Sequence, residues 1–444
     1  MFPRGGARLP QFAYFLRGAM GRIAPLRPLV NFIMPASKPA SLLKFTAPLL
    51  ALALVACSDS EQPAAAERTI AAPLPDAVAN ATPTGIKPPP IPAAPQVQAK
   101  GYILLDYVSG QTLAASNENE RLEPASLTKL MSAYAVFHAL KDGRIKMTDM
   151  VTISPYARSQ DGSRMFVDVG TQVSVEDLIQ GMIVQSGNDA TVALAEHVAG
   201  SEPVFVDLMN QYAQQLGMVS THFQNSPGMP SPEHYTTARD IALLSRALIK
   251  EYPDYYKFYS QRQFTWNKIT QPNRNGLLDR DPSVDGLKTG HTTSAGYCLV
   301  SSARREDMRL VSVVMGSPSV RAREDASSAL LNYGFNFYQT RQLYPNKAPV
   351  MTVKVWKGDV AEVPLSVVED IYTTIPRGQE NMLSAAADVP DPLFAPLSPE
   401  KAAGQLRITL GDQVIGTYPL HPTTDVPEAG FFGRLADDVK LWMR

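Results

Sequence analysis

Cysteine is almost missing from this chain. Two occur in 444 residues, Cys57 at the end of an apolar segment and Cys298 inside a strand-like run. A structural disulfide between them is not expected, so no disulfide framework speaks for secretion. Excess charge of one sign is missing too. With 41 basic and 42 acidic residues the formal net charge is -1, which offers no basic surface for nucleic acid. The six histidines (His138, His197, His222, His234, His291 and His421) are scattered without metal-ligand spacing, so no metal is expected. No glycine-rich phosphate loop stands between a strand and a helix, and no cofactor is implied. What remains, 45% hydrophobic and 19% charged, is a globular composition in a chain long enough for two domains.

The compartment has to be read from the N-terminus. Lys44 precedes the apolar run 45–56, which has the length of a signal-peptide core and is too short to span a bilayer as a helix. Leu54-Val55-Ala56-Cys57 reads as a bacterial lipobox with Cys57 lipidated, or as an ordinary cleavable signal that happens to end in cysteine. A signal-like unit is complete from Met34 onward, which makes Met34 a candidate start, with residues 1–57 as the targeting region. Residues 58–97 are rich in Pro and Ala, include Pro88-Pro89-Pro90, and read as an extended tether.

Ordered structure is expected from residue 98. Tyr102-Ile103-Leu104-Leu105 reads as a buried strand, Ser109-Gly110 as a turn, and Thr112-Leu113-Ala114 as the return strand. Pro124 suits the first turn of a helix that runs to Leu140, with Gly143 as its stop. Residues 175–184 and 191–198 read as helices joined by Gln185-Ser186-Gly187-Asn188, and 237–248 as another with Asp240 in its first turn. Strands return at 287–289, 296–302 and 310–315. A helix over 323–333 is expected to close at Gly334. This order predicts an α/β sandwich of a largely antiparallel sheet and helices over residues 98–345. Period-two alternation at 351–356, 406–410 and 413–418 predicts a small all-β domain over 346–425. In 426–444, Phe431, Phe432, Leu435, Val439, Trp442 and Met443 fall on one helical arc. That arc reads as an interfacial membrane helix over 428–444, or as a helix docked on the protein itself. Its charges balance, so little attraction to anionic lipid is expected.

The chemistry rests on three short motifs. Ser126-Leu127-Thr128-Lys129 puts a hydroxyl and an amine on one helix face. A serine needs a base to become a nucleophile, and a lysine whose pKa is lowered by burial and neighbouring cations can be that base. Alone the pattern is weak, since Ser41-Leu42-Leu43-Lys44 fits it by accident. Ser186-Gly187-Asn188 follows about sixty residues later between helices, and Lys288-Thr289-Gly290 about a hundred residues beyond that on a strand. Singly these are a polar turn and a strand end. Their order and settings together are not ordinary.

Over about residues 101–338 the chain resembles the penicillin-recognising serine enzymes, and within them the low-molecular-weight penicillin-binding proteins that act as D-Ala-D-Ala carboxypeptidases. Glu123-Pro124-Ala125-Ser126-Leu127-Thr128-Lys129, residues 185–190 and Asp285-Gly286-Leu287-Lys288-Thr289-Gly290-His291-Thr292 carry the resemblance. It implies a β-lactamase/transpeptidase-like fold and a hydrolase that removes the terminal D-Ala of peptidoglycan pentapeptides through an acyl-enzyme on Ser126. Lys129 would accept its proton, Ser186 relay a proton to the leaving amine, and Asn188 orient Lys129 or the substrate amide. Lys288 would bind the terminal carboxylate and depress Lys129 by like charge, with Thr289 assisting. The backbone N–H groups of Ser126 and His291 would form the oxyanion hole, with Gly290 and His291 counted among the substrate-binding residues. Arg321 matches an arginine that assists carboxylate binding, and it reads equally as a solvated arginine before a helix.

The implied partners are peptidoglycan stem peptides, β-lactam antibiotics as covalent inhibitors, and a membrane surface through 428–444. The implied place is the periplasmic face of the bacterial inner membrane. Three other readings compete. A DD-endopeptidase would use the same residues. A class A β-lactamase needs a loop glutamate, for which 224–237 offers only Glu233, and has Ser-Asp-Asn where this chain has Ser-Gly-Asn. A non-catalytic scaffold would be expected to lack a motif residue, and all are present.

Overall fold

The chain is described by a computed structural model over residues 66–74 and 91–444. The targeting region with Met34 and Cys57, and residues 58–65 and 75–90 of the tether, lie outside the described residues.

Alternation of apolar side chains builds the first sheet. Strand β2 (Gly101–Asp106) is buried along its whole length. Ile103 and Leu105 join a helical core on one face, while Tyr102 and Leu104 join a second core on the other. Its neighbours are β3 (Thr112–Ser116), β4 (Val284–Thr292), β5 (Gly296–Arg305) and β6 (Met308–Ser317). The order is β3-β2-β6-β5-β4, antiparallel throughout. This leaves β4, which carries Lys288-Thr289-Gly290, on the edge.

The helices α1 (Lys129–Lys141), α2 (Val175–Val184), α3 (Asn188–Ala199), α4 (Glu202–Gln215) and α5 (Ala238–Glu251) cover one face. Eleven residues of α1 are buried, from Lys129 to Leu140, which makes it the central helix. It begins later than expected, because a 3₁₀ turn at Ala125–Thr128 precedes it. Helix α6 (Val320–Phe337) covers the other face. Gly334 does not stop it. A Cβ there would stand 2.5 Å from Leu310 Cδ1 and 3.1 Å from Leu104 Cδ2, so the glycine lets the helix lie close on the sheet.

The smaller domain starts earlier than residue 346. Strand β7 (Tyr338–Tyr344) pairs with β10 (Ile371–Pro376), and Leu343 and Tyr344 enter the second domain's core. Its main sheet runs β1-β11-β12-β13-β9-β8, with β8 (Pro349–Lys354), β9 (Glu362–Ser366), β11 (Leu383–Asp391), β12 (Gly404–Leu410) and β13 (Gln413–Pro422). Strand β1 (Ala66–Ala71) corrects the reading of 58–97 as a plain tether. It pairs antiparallel with β11, Ala66 opposite Asp391 and Ala71 opposite Ala386, and Thr69 Oγ1 donates to Asp388 at 2.6 Å. Ile91, Ala94 and Val97 pack against the larger domain's core. Proline-rich composition concealed both contacts, because an edge strand needs only one bonded side.

Helix α7 (Phe431–Trp442) is held by its polar face. Asp437 accepts from Lys357 N at 2.8 Å, Asp438 pairs with Lys357 at 2.7 Å, and Arg444 just beyond the helix makes two 2.7 Å bonds to Asp391. Phe432 and Trp442 are left 82% and 88% exposed.

Gly334→Leu should destabilise the full chain by about 1–3 kcal/mol, the usual cost of overpacking a close contact. Urea unfolding checks this, and an unchanged midpoint would show that α6 can lift off the sheet freely.

Candidate active site

Three segments from different layers meet in a cleft of about 880 Å³. The first is the 3₁₀ turn that ends in α1, which presents Ser126 while burying Lys129. The second is the α2–α3 junction, where Gly187 caps α3 and Ser186 takes φ 61°. The third is edge strand β4. Ala125, beside Ser126, also sits in the left-handed region at φ 48°. Such backbone costs of order 1 kcal/mol or more and persists where packing over-determines it. Gly290 is pressed against the 3₁₀ turn: a Cβ there would meet Pro124 O at 3.0 Å and Leu127 N at 3.3 Å. That contact sets β4, with Thr289 and His291, beside Ser126.

Lys129 Nζ donates to Ser126 Oγ at 3.1 Å, to Asn188 Oδ1 at 2.7 Å and to Pro227 O at 2.6 Å. None of these partners is an anion, and Lys129 makes no ion pair among the described residues. Burial, then the positive field of Arg274, brings its pKa down to about 7, with Asp189 opposing. Arg274, which no motif marked, adds its positive field at Lys129, and the like-charge effect between Lys129 and Lys288 falls on Lys288. Lys288 is itself held well below its ordinary range, by burial first and then by Lys129, Arg274 and Arg323. Its Nζ donates to Ser186 Oγ and Thr289 O, both at 3.0 Å.

A second set of bonds holds these groups in place. Asn188 Nδ2 donates to Asp161 O at 2.5 Å, which fixes its amide with Oδ1 toward Lys129. Asp161 belongs to a loop tied down by buried Asp189, which accepts from the N–H groups of Met165, Phe166 and Val167. The carbonyl of Pro227 is positioned from behind by Ser226, which donates through N and Oγ to Glu202 at 2.8 and 2.7 Å. Glu202 and Pro227 lie outside the sequence motifs, and Asp189 fell within 185–190 with no role of its own, since each acts through backbone bonds to residues far along the chain.

The expected arginine is also corrected. Arg321 is 89% exposed and pairs with Asp325 at 3.4 Å, away from the cleft. Arg323, two residues on, is buried and lines the cleft, donating to the carbonyls of Gly290 and Cys298 at 3.3 Å. Helical periodicity carried the signal. Arg323 shares the inner face with Ser327 and Leu330, whereas Arg321 shares the outer face with Asp325. Arg274, also in the cleft wall, had no motif to mark it. Glu233, the only acid in the stretch where a β-lactamase would need one, is exposed and does not line the cleft.

A serine, a buried uncharged-capable lysine and a cationic wall around one cleft, on this sandwich, define a serine hydrolase of the penicillin-binding kind. Residues 89–319 match the D-alanyl-D-alanine carboxypeptidase family, and residues 338–428 match the penicillin-binding protein 5 C-terminal domain. The chain is 46% identical to the D-alanyl-D-alanine carboxypeptidase DacC of Escherichia coli, over 78% of this chain and 89% of that one. It is likewise 46% identical to DacA of Haemophilus influenzae, over 79% and 91%. The crystal structure of penicillin binding protein 5 from Haemophilus influenzae superposes with a TM-score of 0.74 at 45% identity, covering 76% of this chain and all of that one. The chain belongs to the D-alanyl-D-alanine carboxypeptidase family, and it is a serine-type D-Ala-D-Ala carboxypeptidase.

Replacing the two arginines separates their roles. Arg323→Ala should raise KM for a pentapeptide at least tenfold, given about 1.5–3 kcal/mol for a charged hydrogen bond. Arg321→Ala should change it less than twofold, as expected for an exposed pair. The reverse ranking in steady-state kinetics would restore Arg321.

Proposed function

We propose that Ser126 is the nucleophile and Lys129 its base. The observation that carries this is the 3.1 Å contact between Lys129 Nζ and Ser126 Oγ, made by an amine with a pKa of about 7. In acylation, Ser126 Oγ attacks the carbonyl carbon of the penultimate D-Ala while its proton passes to Lys129. The tetrahedral oxyanion is received by the backbone N–H groups of Ser126 and His291. Collapse breaks the C–N bond, and the terminal D-Ala leaves with a proton relayed through Ser186. Water then hydrolyses the ester, with Lys129 again taking the proton. Asn188 keeps the Lys129 amine aimed at Ser126 through its 2.7 Å bond.

The substrate's terminal carboxylate is received at the cationic wall by Lys288, Thr289 and Arg323. An arriving carboxylate favours the charged form of Lys288, so binding itself supplies the ion pair that the empty cleft disfavours. β-Lactams acylate Ser126 in the same way, as mimics of the D-Ala-D-Ala bond.

The enzyme works at the periplasmic face of the inner membrane, held there by α7. The exposure of Phe431, Phe432, Trp442 and Met443 supports this reading, since a helix docked for its own sake would bury its apolar arc. Lipidation of Cys57 would be a second anchor.

A fluorescent penicillin should label the protein covalently, and Ser126→Ala should abolish labelling and D-Ala release from a pentapeptide while the fold persists by circular dichroism. Labelling of that variant would remove Ser126 from the mechanism. Deleting residues 431–444 should move the enzyme from the membrane pellet to the soluble fraction. Full retention in the pellet would assign the anchoring to the N-terminus instead.

A further inference from the structure

A cleft of about 470 Å³ beside α7 gathers Arg68, Lys354, Lys440 and Arg444 around the floor formed by Trp356. They come from four places in the chain: the N-terminal strand β1, strand β8, helix α7, and the residues just after it. Arg444 makes two 2.7 Å bonds to Asp391, and Arg68 approaches the same carboxylate at 3.6 Å. Lys440 pairs with Asp437 at 3.0 Å. Lys354 makes no ion pair within 4.0 Å among the described residues, and its Nζ stands 3.8 Å over the Trp356 ring. Four cations thus face two carboxylates. Asp391 stays ionised, held below the ordinary carboxylate range chiefly by its hydrogen bonds from Arg444. The expectation that balanced charges give α7 little attraction to anionic lipid counted the helix alone. It omitted Arg68 and Lys354, which the fold brings to the helix from elsewhere.

We propose that this cleft is a binding site for the phosphate of an anionic phospholipid head group, completed by Arg68 of the N-terminal strand. The proposal rests on the membrane reading of α7. Met443 lines the cleft and Trp442 adjoins it, both exposed, so acyl chains below the apolar arc would bring head groups to the cationic pocket. Strand β1 lies ahead of residue 89, where the match to the carboxypeptidase family begins. Without β1 the cleft would lose one of its four cations, and the β11 edge would be open.

The test is co-sedimentation of the full chain carrying Cys57→Ser, so that no acyl chain contributes, with vesicles of phosphatidylcholine alone or mixed with phosphatidylglycerol. Binding should be tighter to the anionic vesicles, and the difference should shrink as salt rises. Each of Arg68→Gln and Lys354→Gln should reduce that difference about fivefold, the worth of one cation near an anionic surface, without weakening binding to phosphatidylcholine. Circular dichroism establishes that each variant is folded. An undiminished difference in both variants would overturn the cleft while leaving the membrane reading intact. Calorimetric binding of inorganic phosphate to the parent chain but not to Arg68→Gln, together with equal binding to the two kinds of vesicle, would assign the cleft to free phosphate and overturn the lipid assignment. Failure of the parent chain to bind either vesicle would overturn the membrane reading of α7, and the cleft with it.

Discussion

A lysine amine that is buried, hydrogen-bonded and left without a counter-ion is the constraint on which the site depends. A protonated amine surrounded by neutral acceptors costs desolvation that no carboxylate repays, so its proton is weakly held. Had Asp or Glu replaced Asn188, the amine would be a stable ammonium and could not take a proton from a serine. Amide and carbonyl oxygens orient the nitrogen without fixing its charge. This is why Asn188 and Pro227 O, rather than an acid, stand at 2.7 and 2.6 Å.

Holding such a group costs stability, and the fold offsets it through the layers behind. Helix α1 is buried on nearly every side, so Lys129 cannot swing out to water. Asp189 and Glu202 are buried acids that bind backbone N–H groups rather than Lys129 itself. Both shape loops one step removed from the amine, and Asp189 opposes the lowering of its pKa as the smallest of the three causes. Gly290 on β4 then brings the cationic wall to within reach of Ser126. Ser126 with Lys129, Ser186 with Asn188, and Lys288 with Thr289 come from a turn and its helix, an interhelical junction and an edge strand, each fixed by different packing.

Much of this was legible in the sequence, and the reason is local. Ser126 and Lys129 are one helical turn apart, and Ser186-Gly187-Asn188 interrupts an otherwise apolar helical pattern. Lys288-Thr289-Gly290 falls at the short strand expected over 287–289. The antiparallel sandwich and the β-rich second domain followed from period and order. What escaped were contacts between distant segments. Arg323 rather than Arg321 faces the cleft because α6 begins at Val320, earlier than its clearest apolar residues suggest. Gly334 imitated a helix stop but serves a close approach. Residues 66–71 looked like tether because pairing with β11 depends on an edge that no local pattern displays. The convergence of Arg68 and Arg444 on Asp391 was beyond any reading of either end alone.

The central claim is that Lys129 is a base near neutrality, and the titration of its amine tests it most directly. Nitrogen-detected NMR of the lysine side chain, followed with the rate of Ser126 acylation by a β-lactam over the same pH range, gives both halves. A neutral amine is the competent form, so the rate should rise with pH and be half-maximal near pH 7, where the amine itself titrates. Titration near the ordinary 10.5, or an acylation rate that ignores the titration of Lys129, would contradict the account.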